Sequence, residues 1–95
     1  MQTFCLWLYC DDLYIVLSMQ TQSFHIFQKQ LGAHLQEIRK SRGLSQEAVG
    51  ALVDMDRVSI GYIEQGKRAP KLKTLYALAQ VYRVDMKEFF EFGRP

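Results

Sequence analysis

After the first 27 positions, hydrophobic residues recur at intervals of three and four, which is the spacing of one face of an α-helix. Leu31, Leu35 and Ile38 form the first such stripe, and the residues between them are mostly polar. Gly43 follows, and glycine is the residue that most often ends a helix. The pattern therefore predicts a first helix over about Gln28–Arg42.

Capping residues divide the next segment into two short helices. Ser45 is a good N-cap and predicts a second helix that ends near Val53. Asp54 suits a tight turn, since aspartate tolerates the left-handed conformation better than most residues. Asp56 is the next N-cap, and Gly66 ends the helix that it begins.

Two more helices complete the pattern. A fourth helix is predicted over about Lys71–Tyr82, with apolar positions spaced for one buried stripe. These positions are Leu72, Leu75, Leu78, Ala79 and Tyr82. Asp85 caps a last short helix that contains Met86, Phe89 and Phe90. Five helices with short connections and no strand-like alternation predict an all-α fold.

Residues 1–27 differ in character and form an N-terminal extension of unknown structure. Two apolar runs, Phe4–Tyr9 and Leu13–Leu17, are interrupted by Asp11-Asp12, so the stretch fails as a membrane span of roughly 20 apolar residues. A signal peptide is not expected, since the first 28 residues contain no Lys or Arg. The extension is either a strand or dimer-contacting arm, or translation begins at Met19. No membrane association is expected.

The charge of the chain is unevenly distributed. The net charge is +2, but residues 29–84 carry ten Lys and Arg against five Asp and Glu, a net +5. The first 28 residues carry −2 and the last 11 carry −1. The sequence thus divides into the extension and a basic domain over residues 28–92, and basic surfaces suit phosphate binding.

Catalytic and metal-binding motifs are absent from the sequence. The two cysteines, Cys5 and Cys10, lie outside the basic domain and have no neighbouring Cys/His set for zinc. His25 and His34 have no ligand partners at useful spacing, and no Ser/His/Asp or glycine-rich phosphate motif occurs. We therefore expect no enzymatic activity, no metal and no cofactor, and a reducing cytoplasm as the compartment.

Two segments carry a resemblance to a known family. The residue identities and their spacing are typical of this family in Ile38–Glu47 and in Ile60–Pro70, and in the apolar positions of Leu72–Phe90 that follow. On these grounds residues 31–90 resemble the phage-repressor/Cro-type, or Xre-like, helix-turn-helix family. The resemblance implies a five-helix phage-repressor-like domain that binds duplex DNA, with the second helix of the motif in the major groove.

Three residues depart from the family pattern. Gly50 stands where alanine is usual, which costs up to about 1 kcal/mol of helix propensity. Asp54 replaces the usual turn glycine, and Asp56 replaces the usual Ser or Thr cap. These changes predict a less stable motif that retains its function.

The resemblance also implies roles for residues of the motif. Arg57, Val58 and Tyr62 occupy positions that touch base edges in the family. An arginine can bond guanine O6 and N7, and a valine suits a thymine methyl group. Arg39 and Glu64 occupy positions that form a buried ion pair in many members, which would join the first helix to the recognition helix.

Contacts to the DNA backbone are expected around the motif. Gln46 begins the second helix, where its amide and the free backbone N–H groups can hold a phosphate oxygen. Ser59 is predicted to touch the backbone as well. Lys67 and Arg68 follow the recognition helix, and we expect them to contact phosphates on its other side.

The sequence favours a homodimeric regulator. Phe89, Phe90 and Phe92 are too apolar to stay bare on so small a domain, so they predict a dimer interface. The leading hypothesis is a repressor or autoregulator that binds an operator. The run 56–64 also resembles controller proteins of restriction–modification systems, and an antitoxin is another alternative. A different class of function is a protein-interaction module that uses residues 1–27.

Overall fold

The computed structural model describes residues 23–92, and this part of the chain is all helical with no strand. Four α-helices are followed by one turn and a half of 3₁₀ helix. They are α1 over residues 23–41, α2 over Gln46–Leu52, α3 over Arg57–Glu64, α4 over Leu72–Tyr82, and the 3₁₀ helix over Met86–Phe90. The predicted all-α fold with five helical elements is confirmed. The predictions for residues 1–22 lie outside the described residues.

Helix α1 begins earlier than the sequence pattern predicted. The prediction was Gln28–Arg42, whereas residues 23–41 are helical. Phe24 and Phe27 continue the apolar stripe backwards from Leu31 at helical spacing, and Phe27 stacks on Phe90 with ring centroids 6.2 Å apart. The helix therefore crosses the boundary that was placed between the extension and the domain.

One core joins all five elements. Its buried apolar residues come from every helix, and the largest fully buried side chains are Tyr82, Phe89, Leu35 and Val49. The other buried apolar residues are Leu31, Ile60, Ile63, Leu75, Leu78 and Ala79. Val53 and Ile38 are partly buried against this cluster. The helical stripes predicted from the sequence therefore meet in a single core, which holds α2 and α3 in place.

The predicted caps of α2 and α3 are confirmed. The Ser45 hydroxyl accepts a hydrogen bond from the backbone N–H of Ala48 at 3.0 Å. The Asp56 carboxylate accepts one from the backbone N–H of Ser59 at 2.8 Å. Asp54 adopts φ = 60°, the left-handed conformation that was expected of the turn. Each cap satisfies a backbone donor that the first turn of a helix leaves free.

The helix–turn contact at Gly50 leaves no room for a side chain. A Cβ atom added there would overlap the carbonyl oxygen of Met55. The backbone N–H of Met55 donates to the carbonyl of Gly50 at 2.7 Å, which holds the turn against α2. Alanine at this position would force the turn to move. Helix propensity alone therefore does not describe the effect of this departure from the family pattern.

Leu72 was wrongly predicted to belong to the buried stripe of α4, since its side chain is 74% exposed. It is the first residue of the helix and lies at the edge of the stripe that Leu75, Leu78 and Tyr82 form on the core side. Core contacts thus begin one turn later, because no element of residues 23–92 covers the N-terminal end of α4.

Side-chain hydrogen bonds connect α1 and the residue that follows it to distant parts of the fold. Gln28 Nε2 donates to the carbonyl of Gly66 at 2.8 Å, and Arg42 Nε donates to the carbonyl of Tyr82 at 2.7 Å. His34 Nε2 donates to the carbonyl of Glu88 at 2.7 Å. These bonds satisfy carbonyls near the ends of α3, α4 and the 3₁₀ helix, so α1 braces the domain along its length.

None of the helices in residues 23–92 has the length and apolar character needed to cross a membrane.

Candidate nucleic-acid interface

Helix α3 presents one face to the core and another to solvent. Ile60 and Ile63 are buried with Val49 of α2. Val58 is 49% exposed and Tyr62 is 39% exposed on the opposite side. The side chain of Arg57 is also exposed, at the N-terminal end of the helix. The structure thus places all three residues that were predicted to contact bases outside the core, where they can meet a ligand.

A buried ion pair ties α1 to the C-terminal end of α3. Arg39 Nε lies 2.7 Å from Glu64 Oε2, and Arg39 Nη2 lies 3.1 Å from Glu64 Oε1. Both residues are buried. Arg39 Nη1 also donates to the carbonyl of Leu44 at 2.7 Å, so the guanidinium bridges two helices and the loop that precedes α2. This bidentate geometry sets the position of α3 relative to α1.

Gln46 belongs to the same network. Its Nε2 donates to Glu64 Oε1 at 3.0 Å, which links the start of α2 to the end of α3. Gly61 lies beside it, and a Cβ at Gly61 would be 3.6 Å from the amide oxygen. The amide therefore has a structural partner that the sequence pattern did not predict. The predicted phosphate contact of Gln46 remains a prediction for the second amide hydrogen and the backbone N–H groups.

The loop after α3 folds back onto the exposed face of that helix. Gly66 adopts φ = +77°, and the backbone N–H groups of Lys67 and Arg68 both donate to the carbonyl of Tyr62, at 2.9 and 3.3 Å. The Arg68 guanidinium donates to Ser59 Oγ at 3.1 Å. The guanidinium carbon lies 5.4 Å from the centre of the Tyr62 ring, and Lys67 Nζ lies 5.9 Å from it. Two cations therefore lie close to the exposed aromatic ring.

The N-terminal end of α3 carries a carboxylate that stays ionised. Hydrogen bonds from Ser59, first from its hydroxyl and then from its backbone N–H, hold the pKa of Asp56 below its usual value. The charge of Arg68 lowers this pKa further. A negative charge beside a predicted phosphate-binding surface is unfavourable for DNA, and Arg68 partly offsets it.

The predicted dimer interface needs a correction at Phe89. Its side chain is fully buried and meets Tyr82 edge-on, with ring centroids 6.3 Å apart. It belongs to the core of its own chain, because the 3₁₀ helix turns this side chain inward against α4. Phe90 is 40% exposed, and Phe92 lies against Phe27 with ring centroids 5.4 Å apart.

The aromatic residues Phe90 and Phe92 form one surface with residues at the start of α1, which the sequence interpretation missed. The ring centroids of Phe24 and Phe27 lie 6.4 Å apart, and Phe27 contacts both Phe90 and Phe92. The helical spacing of Phe24 and Phe27 to Leu31 was the signal that could have shown it. We call the four residues Phe24, Phe27, Phe90 and Phe92 the aromatic surface.

Comparison with known proteins gives a family match over most of the described chain. The model of the family described as HTH_3: Helix-turn-helix matches residues 35–89. Among characterised relatives, the HTH-type transcriptional regulator PuuR of Escherichia coli (strain K12) is 41% identical over 59 residues. The match covers 62% of this chain and 32% of PuuR. The chain thus spans about a third of the length of that relative.

Solved structures share the fold. The restriction-modification controller protein C.AhdI from Aeromonas hydrophila superposes with a TM-score of 0.67 and 32% identity, covering 70% of this chain and 96% of C.AhdI. The S. venezulae BldD DNA-binding domain superposes with a TM-score of 0.60 and 37% identity, covering 66% of this chain and 94% of that domain. Both are matched over almost their whole solved length.

Proposed function

This chain belongs to the helix-turn-helix family HTH_3, and from that premise we propose that it is a transcription regulator that binds an operator in duplex DNA sequence-specifically, as a homodimer. The observation that carries the proposal is the exposed face of α3. Arg57, Val58 and Tyr62 lie on it, and the helix beneath is braced by the buried Arg39–Glu64 pair. A rigidly held helix with exposed polar and apolar side chains suits readout of base edges.

Contacts to phosphates would orient this helix in the groove. We assign these contacts to Lys67, to Ser59 in the first turn of α3 and to Gln46 in the first turn of α2. Arg68, which the sequence also predicted as a phosphate contact, is a further candidate. Backbone contacts of this kind supply affinity and register, while base contacts supply sequence preference. The basic charge of residues 29–84 supports this division of roles.

A homodimer would place two copies of α3 about 34 Å apart, one helical turn of DNA. One exposed helix of eight residues reads too few base pairs for strong specificity. The aromatic surface supports a contact between two copies, because Phe24 and Phe90 remain exposed on a small domain. We propose that each copy covers this surface of the other.

The role of a controller protein is the second candidate. It rests on the similarity to C.AhdI, which covers 96% of that protein and 70% of this chain. A controller protein would act as a repressor or autoregulator of a neighbouring operon. Inspection of the genes beside this one, for a restriction enzyme and a methyltransferase, separates this candidate from a phage-type repressor or an antitoxin.

We expect binding to duplex DNA to weaken steeply with salt. Two to four Lys or Arg contacts to phosphate in the dimer, at a slope of about 0.9 for each, predict a loss of about 10- to 100-fold between 50 and 200 mM salt. The measurement is a titration of the full chain into a duplex selected from a random library, at several salt concentrations.

An unrelated duplex of equal length is the control, and it should bind more weakly throughout. A change of less than about twofold over this salt range would contradict the phosphate contacts. Equal affinity for the selected and the unrelated duplex would contradict sequence-specific binding.

We expect the joint substitution Phe90→Ser and Phe92→Ser to convert the dimer to monomers. Loss of aromatic side chains that the dimer would bury costs about 2 kcal/mol or more of the binding free energy in each protomer. The dissociation constant of the dimer should therefore rise about a thousandfold. Sedimentation velocity over a range of concentrations measures it, with circular dichroism to verify the fold.

The matched control is Leu72→Ser with Tyr76→Ser, which removes two exposed apolar side chains from α4. This control should still dimerise. If the Phe90/Phe92 variant dimerises as well as the unmodified chain, the interface lies elsewhere.

A further inference from the structure

The path of the loop after α3 places Arg68 over the exposed face of that helix. Its backbone N–H and that of Lys67 share the carbonyl of Tyr62, which would otherwise be one of the unpaired carbonyls at the helix end. This anchors the start of the Arg68 side chain at the C-terminal half of α3. The side chain then runs back along the helix to Ser59, which lies one turn before Tyr62.

The guanidinium of Arg68 makes contacts that differ from those of its neighbour. It donates to Ser59 Oγ at 3.1 Å and lies 5.4 Å from the centre of the Tyr62 ring. Lys67 Nζ lies 5.9 Å from the same ring, and within residues 23–92 it makes no hydrogen bond. Both residues are exposed cations of one loop, but Arg68 alone is joined to the helix by both a hydrogen bond and a ring contact.

These contacts restrict the side chains that face the DNA. Tyr62 is 39% exposed, and a free tyrosine on such a surface would populate several rotamers. A guanidinium against the ring and a hydrogen bond to Ser59 select one arrangement before DNA arrives. Preorganisation of this kind reduces the entropy lost on binding and sharpens the preference for the base that fits.

We propose that Arg68 is a positioning residue for base recognition: anchored on Ser59, it holds Tyr62 in the arrangement that reads the operator. This role replaces the phosphate contact that the sequence predicted for Arg68, and it rests on the proposed function of α3 in DNA binding. Lys67 keeps the phosphate role. The two basic residues of one loop thereby perform different tasks.

The first test needs no DNA. In NMR spectra of the full chain, Arg68→Ala is expected to shift the Tyr62 ring protons and to raise the titration midpoint of the Asp56 carboxyl, because the nearby cation is lost. Lys67→Ala is the matched control and should leave the Asp56 midpoint unchanged. If Arg68→Ala moves neither signal, the proposed contacts do not exist in solution and the proposal is wrong.

The second test measures base preference. On a duplex selected from a random library and on its single-base variants, Arg68→Ala is expected to reduce discrimination at one base pair by at least about fivefold. Arg68→Lys should show the salt dependence of the unmodified chain, since the charge is kept, but should not regain that discrimination, since a lysine lacks the planar guanidinium. Lys67→Ala should weaken binding to every duplex by the same factor.

The outcomes separate the role of Arg68 from the function of the protein. If Arg68→Ala weakens all duplexes equally and Arg68→Lys restores the loss, Arg68 is a phosphate contact and the positioning role is overturned. If the unmodified chain shows no sequence preference, the proposed function fails, and the positioning role fails with it. Both are supported if the unmodified chain shows a strong base preference, the two Arg68 variants lose it at a single position, and Lys67→Ala keeps it.

Discussion

Replacing Glu64 with alanine is expected to remove about 3–5 kcal/mol from the free energy of unfolding, because it leaves the buried guanidinium of Arg39 without its carboxylate. The same change removes the acceptor of the Gln46 amide. A domain of this size has a total stability of about 5–15 kcal/mol, so the variant would lie near the threshold of folding. Urea denaturation followed by circular dichroism measures the loss.

Two variants test whether the pair itself causes the effect. Glu37→Ala removes an exposed carboxylate from α1 and should change the free energy of unfolding by less than about 0.5 kcal/mol. The double substitution Arg39→Met with Glu64→Leu should recover much of the loss, since neither charge is then buried alone. A cost below about 1 kcal/mol for Glu64→Ala would contradict the importance of the pair.

The boundaries of α2 and α3 could be predicted because the chemistry that sets them is local in sequence. Ser45 and Asp56 bond to backbone groups three residues later, and Gly66 ends α3 through its own backbone conformation. The start of α1 and the exposure of Leu72 were predicted wrongly. The helical spacing of Phe24 and Phe27 to Leu31 could have extended α1 towards its true start. The exposure of Leu72 depends on which distant element covers the helix end, and periodicity along one helix carries no such information.

The interface shows the same division between local and distant contacts. Exposure of Arg57 and Val58 follows from the helical period once the core side of α3 is known. The contact of Arg68 with Ser59 spans nine positions and needs the turn at Gly66 to bring the loop back. The burial of Phe89 could not be read from its apolar character, because an interface and a core use the same side chains.

The second large effect is expected at Arg57, which should distinguish reading a sequence from holding DNA. Among residues 23–92, Arg57 forms no ion pair with Asp54 or Asp56, and its side chain is exposed at the first turn of α3. If α3 enters the major groove, its guanidinium can bond guanine O6 and N7. Arg57→Ala should therefore cost about 1–3 kcal/mol on the selected duplex and relax the preference at one base pair.

Lys67→Ala is the matched comparison, because it removes one exposed cation from the end of the same motif. It should weaken binding to all duplexes alike and lower the salt slope by about one for each protomer. Binding curves for both variants, on the selected duplex and on its single-base variants, give the two patterns directly.

An equal loss on every duplex for Arg57→Ala would show that Arg57 contacts phosphate. Sequence preference would then have to come from Val58 and Tyr62 or from the shape of the DNA. Val58 can meet only apolar groups such as the thymine methyl, so a preference that comes from Val58 would be confined to A·T pairs. A preference for a guanine that disappears in Arg57→Ala and survives in Lys67→Ala would instead assign base reading to the first turn of α3.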